Sequence, residues 1–565
     1  MGLHSTLSRW NQDVARITVS ENLPETTSQF SSYGIMADES TRGDKKIFLT
    51  CISHWNVIKE EPILTILNMK NLDRCNSDTV STSVLEAIKS SNLDPEHCLY
   101  WLTDNTSYMS GSKGGAVVNF NQRCETSAIR IPCSLHAVHI AATTFDNAVF
   151  GKISSPSGLS LNPHPFNVIN LAYHLHSGYN ESNKDNPLNM KNETISKMYK
   201  ALLDVDLKKY QKPITSHWLY QLTTAKQYLE CREFHYTFTN WFVEKLEDSR
   251  NVPEGYLHKW KTFLKFLQSE KLNTEVLIMV KFGEWFYEKL MYFLIGSDTN
   301  SSHPLPNGYR AHQMPDMVQT WISELENVVH EPEKIFMNEL LVASDHLNEQ
   351  EFLDLAQRIQ TGIEKTLNVF KKWMISWIKF PLCICSLGGE YGPEFAQAVL
   401  HVIFSHPFPD DQTTIITKKY IKRLNENLED QNNSFGLFEA LEKKDFKEEF
   451  IEFSKANHVQ LKEFPLIYDF VKHRIWSIIV HQQHLEGMFN KFDVRTHPNM
   501  CSSLQEARLQ LSGPTSFNSM ITAEKLEITQ TKRREEASLS VDPVIGEEEA
   551  TRLTEEFLIP KNRNN

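Results

Sequence analysis

Two aspartates stand where carboxylates can act together on a metal ion. Asp38 closes the apolar run Tyr33-Gly34-Ile35-Met36-Ala37, and Asp104 closes Cys98-Leu99-Tyr100-Trp101-Leu102-Thr103. Both runs read as strands bounded by polar, turn-forming residues. If the strands are neighbours, both carboxylates point at one spot. Mg²⁺ is a hard cation that takes oxygen ligands, so Asp and Glu suit it and thiols do not. Two such ions can activate an attacking hydroxyl and stabilise the leaving oxygen in phosphoryl transfer. Strand-end position alone is a loose signal, because a chain with 71 acidic residues puts some there by chance.

Other constellations point to packing. Cys133 and His136 have ligand spacing, but one Cys-His pair without a second does not make a structural zinc site. They read as a packed thiol and a hydrogen-bonded histidine bracing a helix. His481 and His484 share a helix face at three-residue spacing, as chance helical pairs do. Ser110-Gly111-Ser112-Lys113-Gly114-Gly115 is glycine-rich but lacks the phosphate-loop spacing, and reads as a turn into the next helix. Lys532-Arg533-Arg534 has the look of a nuclear signal, but three basic residues in a charged tail are ordinarily solvated.

The elements that must position the aspartates follow from periodicity. Residues 33–37 form a short strand ending in the turn-like cluster Asp38-Glu39-Ser40-Thr41-Arg42-Gly43. Residues 46–55 and 62–69 read as two more strands. Ser77-Asp78 caps a helix through Val80, Val84, Leu85 and Ile88. A strand at 98–103, a helix at 115–122, a strand at 128–131 and a helix at 135–145 complete the pattern. Residues 154–192, rich in Ser, Asn, Pro and His, read as a long surface loop. Beyond them the chain turns helical. Ile359, Ile363, Leu367, Phe370, Met374 and Trp377 repeat at helical spacing up to Pro381. A last helical stretch begins near Leu466 and runs through Ile478, Gln482, Glu486 and Phe489, with a short helix at 502–511. Aromatics such as Trp241, Trp260 and Trp285 read as core.

At about 150 residues per domain, 565 residues allow three or four domains. With 40% hydrophobic residues the composition is globular. The net charge of -13 runs against the basic excess of a dedicated nucleic-acid binder, though a local basic patch is compatible with it. The 9 cysteines are scattered and make no disulfide framework, which fits a reducing compartment. The most apolar long stretch, 276–295, carries Lys281, Glu284, Glu288 and Lys289, charges too costly for a membrane span.

Three segments in order carry a family resemblance. They are Gly34-Ile35-Met36-Ala37-Asp38-Glu39-Ser40-Thr41, Leu102-Thr103-Asp104-Asn105-Thr106-Ser107-Tyr108-Met109-Ser110-Gly111, and Ile131-Pro132-Cys133-Ser134-Leu135-His136. Together they resemble hAT-family transposases, in the branch of BED-finger transposase-derived proteins. The first two match strand ends that carry the catalytic aspartates, and the third a Cys-x-x-His motif. Thr215-Ser216-His217-Trp218 is similar to the family's Arg-Trp motif, with His217 in place of arginine. His484-Leu485-Glu486-Gly487-Met488-Phe489-Asn490 is similar to the segment bearing the catalytic glutamate, with Gly487 and Asn490 departing from it. The family's N-terminal zinc finger has no counterpart.

The resemblance implies an α/β ribonuclease H-like domain interrupted by a large all-α insertion, with C-terminal dimerisation-type helices. Composition marks a polar linker or remnant at 1–30 and a disordered charged tail at 513–565, and between them the expected divisions are the first part of the core at 31–234, the insertion at 235–455 and a C-terminal region at 456–512. The resemblance implies a triad of Asp38, Asp104 and Glu486 that holds Mg²⁺ or Mn²⁺ and cuts and rejoins DNA. Cys133, His136 and Trp218 are then structural motif residues. Expected partners are DNA and a second copy of the chain, with no membrane, in the nucleus. The alternative is a domesticated or truncated, catalytically silent nuclear protein that binds DNA or protein. It would dimerise through its C-terminal region, where Leu466, Ile467, Phe470, Ile475, Ile478 and Ile479 offer apolar side chains for an interface or for the chain's own core.

Overall fold

The computed structural model describes residues 2–24, 28–42, 45–153, 159–176, 192–207, 209–214, 218–248, 252–296, 304–408, 413–427, 434–456, 461–485, 488–489, 505–507 and 510. The protein is mixed α/β. Strands β1 (Tyr33–Arg42), β2 (Lys45–Asn56), β3 (Glu61–Leu72), β4 (Cys98–Thr103) and β5 (Ile129–Pro132) form one sheet in the order β3-β2-β1-β4-β5. The first three are antiparallel, and β4 and β5 run parallel to β1. Around the sheet lie α1 (Gly2–Glu21), α2 (Ser77–Ser90), α3 (Ser107–Ser110), α4 (Ala116–Cys124) and α5 (Ser134–Val149).

Alternation along the strands builds two cores, because successive side chains point to opposite faces. Ile35, Ala37, Phe48, Ile52 and Trp101 pack with Val80, Val84 and Ile88 of α2 and Phe120 of α4. Met36, Leu49, Cys51, Tyr100, Leu102 and Ile131 lie on the other face with Ala137, Val138 and Ala141 of α5. The first strand extends beyond its expected end. Residues 38–42, expected as a turn, pair with β2 from Asp38↔Leu49 to Arg42↔Lys45. The hairpin partner supplies the pairing that apolar content alone did not predict. The cap of α2 is Asn76 rather than Ser77 or Asp78, its side chain accepting from the amides of Asp78 and Thr79.

Helices then fill the chain: α6 (Pro165–His176), α7 (Asn192–Leu203), α8 (Trp218–Glu247), α9 (Glu254–Gln268), α10 (Glu270–Phe282), α11 (Lys289–Ile295), α12 (Met314–His330), α13 (Glu333–His346), α14 (Glu349–Met374), α15 (Gly392–Phe404), α16 (Ile415–Asn427), α17 (Leu437–Glu442), α18 (Lys444–Phe453) and α19 (Pro465–Arg474). The apolar repeat of α14 is buried as its spacing predicts, from Ile359 to Met374. Gly362 lets α14 close on α5, since a Cβ there would meet Val149 at 2.6 Å and Phe145 at 3.0 Å. Phe145 also stacks on Phe282 at 3.7 Å. Through α5, the sheet and the helices share one continuous core. The expected boundary at 234/235 falls inside α8. Among the described residues no helix is long and apolar enough to cross a membrane.

Several expectations change. The stretch 1–30, read as a polar linker, contains α1, whose Val14, Ala15, Ile17 and Thr18 are buried; its apolar stripe is short and diluted by polar neighbours. Within 154–192, read as loop, α6 buries Phe166, Val168, Ile169, Leu171, Ala172 and Leu175. The polar composition of the whole stretch hid twelve helical residues. The helix expected from Leu466 onward breaks: α19 ends at Arg474, 478–482 is irregular backbone, and helical residues return at 483–485, 488–489 and, in the short helix expected at 502–511, at 505–507 and 510. Ile467, Phe470, Ile475, Ile478 and Ile479 are fully buried in the chain's own core and so are not a free dimer surface. Residues 215–217 and 513–565 lie outside the described residues.

Tyr100 lies over Gly34, where an added Cβ would come within 2.0 Å of its ring. The ring is held in place, because its hydroxyl donates to Ser477 O at 3.0 Å and accepts from the Ile479 amide at 3.2 Å. Gly34→Ala is therefore expected to destabilise the fold by about 1–3 kcal/mol, seen as a lower urea midpoint. A midpoint equal to wild type would mean that the ring can move aside.

Candidate functional site

The parallel pairing of β1 with β4 matches Gly34↔Tyr100, Ile35↔Trp101 and Met36↔Leu102. Asp38 and Asp104 each lie two residues beyond the last pair of this ladder, and Asp38 falls on the face of Met36 by the strand period of two. Asp38 is thus an internal residue of β1, at the point where the ladder to β4 has ended. Its Oδ1 accepts the Glu39 amide at 2.8 Å. Asp104 follows β4 directly, and its Oδ1 accepts the Thr106 amide at 3.2 Å and hydroxyl at 2.7 Å. This local turn fixes the carboxylate and leaves Oδ2 out of those bonds.

The far end of the chain reaches the same place. Ser53 Oγ and Tyr100 Oη donate to Ser477 O at 2.7 and 3.0 Å, and the Ser134 amide donates to Val480 O at 3.0 Å. Buried Gln482 then donates from Nε2 to Ala37 O at 3.0 Å and Leu102 O at 3.4 Å. One side-chain amide joins β1 to β4 where their own pairing has stopped. Glu486 lies outside the described residues, but Leu485 before it and Met488 after it are buried. Among the described residues no group of three or more His, Cys, Asp or Glu side chains could hold a metal ion. The two aspartates are hard oxygen donors, the ligand type that Mg²⁺ or Mn²⁺ takes.

Arg130 of β5 braces this corner. It donates from Nε to Thr103 Oγ1 at 3.0 Å and from Nη2 to Asp104 O at 3.0 Å and Asn105 Oδ1 at 2.8 Å. Burial lowers its pKa, and the nearby Asp104 charge opposes that. On the opposite face of β1, Glu39 pairs with Lys46 at 3.3 Å. Burial raises the pKa of the Cys75 thiol to about 12, with the Glu39 carboxylate beside it adding to the rise. Burial also raises Tyr108, with Glu39 and Asp104 contributing.

Of the motif residues, Cys133 is buried, and its amide donates to Thr103 O at 2.8 Å, tying the start of α5 to the strand that carries Asp104. His136 is exposed, so the two do not share a buried site. Trp218 is fully buried; its Nε1 donates to Asp146 Oδ2 at 2.7 Å and its amide to His139 Nδ1 at 3.2 Å. It locks α8 onto α5. His481 is buried, with its ring 5.5 Å from that of His484. The glycine-rich segment folds back on itself before α4, the Gly115 amide donating to Gly111 O at 2.8 Å.

The sequence names Gln482 only as a helix residue, and gives no role to Arg130 or Asp146. Gln482 and Arg130 carry no motif of their own. Asp146 had a signal, an acid among the apolar residues of α5. Gln482→Met removes the donor while keeping the length. It is expected to cost about 1–3 kcal/mol by stranding buried carbonyls, measured as a lower unfolding midpoint. Unchanged stability would show that the bridge is dispensable.

The sequence matches no family model and no curated protein.

Proposed function

We propose that this protein is a hAT-type transposase core, with a ribonuclease H-like fold, that cuts and joins DNA strands with Mg²⁺ or Mn²⁺. The observation that carries the reading is the parallel pairing of β1 with β4 up to two residues short of Asp38 and Asp104, with the 475–485 segment bonded to both strands. The strand order β3-β2-β1-β4-β5, antiparallel in its first three members, supports the ribonuclease H-like core. Glu486 as third ligand rests on the family resemblance alone.

Bound divalent cations would supply Lewis acidity to the phosphate and lower the pKa of an attacking hydroxyl. The chain's part is to hold its carboxylates ready. The Thr106 turn and the Arg130 brace fix Asp104, and the β2 pairing fixes Asp38. Supercoiled plasmid incubated with the purified protein is expected to be nicked with Mg²⁺ or Mn²⁺ and left intact with chelator. No nicking with either metal would sink the enzyme reading. It would favour the silent nuclear relative, for which the net charge of -13 is the supporting observation. Self-association, in either case, would use surfaces other than the buried isoleucines of 467–479.

A further inference from the structure

At the end of the sheet remote from Asp104, where β4 begins at Cys98, a cavity of about 470 Å³ opens between the 125–127 turn and residues 434–443. We propose that it binds a small zwitterion of amino-acid to dipeptide size, its carboxylate on Arg474 and its ammonium group against the rim carboxylates Glu125 and Glu439. The floor holds Arg474 with the buried Phe30 and Ser434. Arg474 Nε donates to Phe30 O at 2.9 Å, which fixes the plane of the guanidinium. Its two terminal nitrogens make no hydrogen bond or ion pair with a described residue, so the fork is left to a carboxylate. Burial lowers its pKa to about 10, with the Glu439 charge opposing, so it remains a cation at neutral pH.

The rim decides the rest of the ligand. Glu96, Glu125 and Glu439 are exposed there, and Ser434 Oγ donates to Glu439 Oε2 at 3.3 Å. Lys443, the other rim cation, is already engaged with Gln29 Oε1 at 2.6 Å. Three carboxylates against two cations disfavour a bare anion. A ligand carrying both charges satisfies floor and rim together. The volume falls within the ordinary range for small-molecule sites. Consecutive left-handed residues, Phe435 at φ 52° and Gly436 at φ 80°, bend the chain so that Ser434 and Glu439 both line the cavity.

The test is calorimetric titration of the full chain with glycylglycine, and separately with acetate and with methylammonium. Saturable binding of glycylglycine alone is expected, weakened by about tenfold or more in Arg474→Gln. If that variant does not fold, Glu439→Gln, an exposed substitution, must weaken binding in its place. No saturable binding of glycylglycine, or equal binding by the substituted protein, overturns the site. Acetate binding as tightly as glycylglycine overturns the zwitterion.

Discussion

Asp38→Asn and Asp104→Asn should each lower metal-dependent plasmid nicking by about 1,000-fold or more while leaving the fold intact. On the proposed reading each aspartate is a metal ligand, and losing one forfeits several kcal/mol of charge stabilisation in the transition state, at about 1.4 kcal/mol per tenfold in rate. The fold is spared because asparagine keeps an oxygen in the right place. Asn at 104 still accepts from the Thr106 amide and hydroxyl, and Asn at 38 still accepts from the Glu39 amide. Urea midpoints should therefore move little, which separates lost chemistry from lost structure. The neighbouring substitution Glu39→Gln provides the contrast. It changes a carboxylate one residue away, on the opposite face beside Lys46, and nicking should persist. Full activity in Asp38→Asn, or equal loss in Glu39→Gln, would contradict the proposed role of the two aspartates.

The strands around this pair were largely legible because their signal is local. β4 was expected at 98–103 and is found at Cys98–Thr103. Its apolar run is bounded on both sides by polar residues. What could not be read was whether β1 and β4 are neighbours, since strand order depends on contacts between residues far apart in the chain. The same reason hid Gln482, which bonds to Ala37 and Leu102 across separations of 445 and 380 residues. Residues 38–42 were misjudged because their extended conformation comes from β2, while their own composition favours a turn. At α6 the error was of averaging, an apolar face set among Ser, Asn and Pro. The isoleucines of 475–479 show the limit of apolar content as a guide, for a buried segment and an interface have the same composition.

Asp146 is the residue whose environment has most to say about stability, and Asp146→Asn is expected to stabilise the protein increasingly as pH rises. Burial lifts this carboxyl from an ordinary 3.8 to about 7, with the Trp218 hydrogen bond pulling the other way. Oδ1 has no hydrogen-bond partner, so ionisation leaves a charge with one donor and no counter-ion bonded to it. The sign follows from which state holds the proton. Below 3.8 both folded and unfolded chains keep it, and the neutral carboxyl costs the fold no charge burial. Between 3.8 and about 7 the unfolded chain has released the proton while the folded chain retains it, so stability falls as pH rises. Above about 7 both are ionised and the loss is complete. That span amounts to on the order of 4 kcal/mol. Asparagine removes the titration and keeps an acceptor for Trp218 Nε1. The gap between variant and wild-type urea midpoints should therefore be small at pH 4 and widen toward pH 8, where the uncompensated charge is greatest. A gap independent of pH would mean that the carboxylate finds a counter-charge or water when it ionises. The anchoring of α8 to α5 through Trp218 would then rest on packing and its two hydrogen bonds, to Asp146 and His139, with the carboxylate charge compensated.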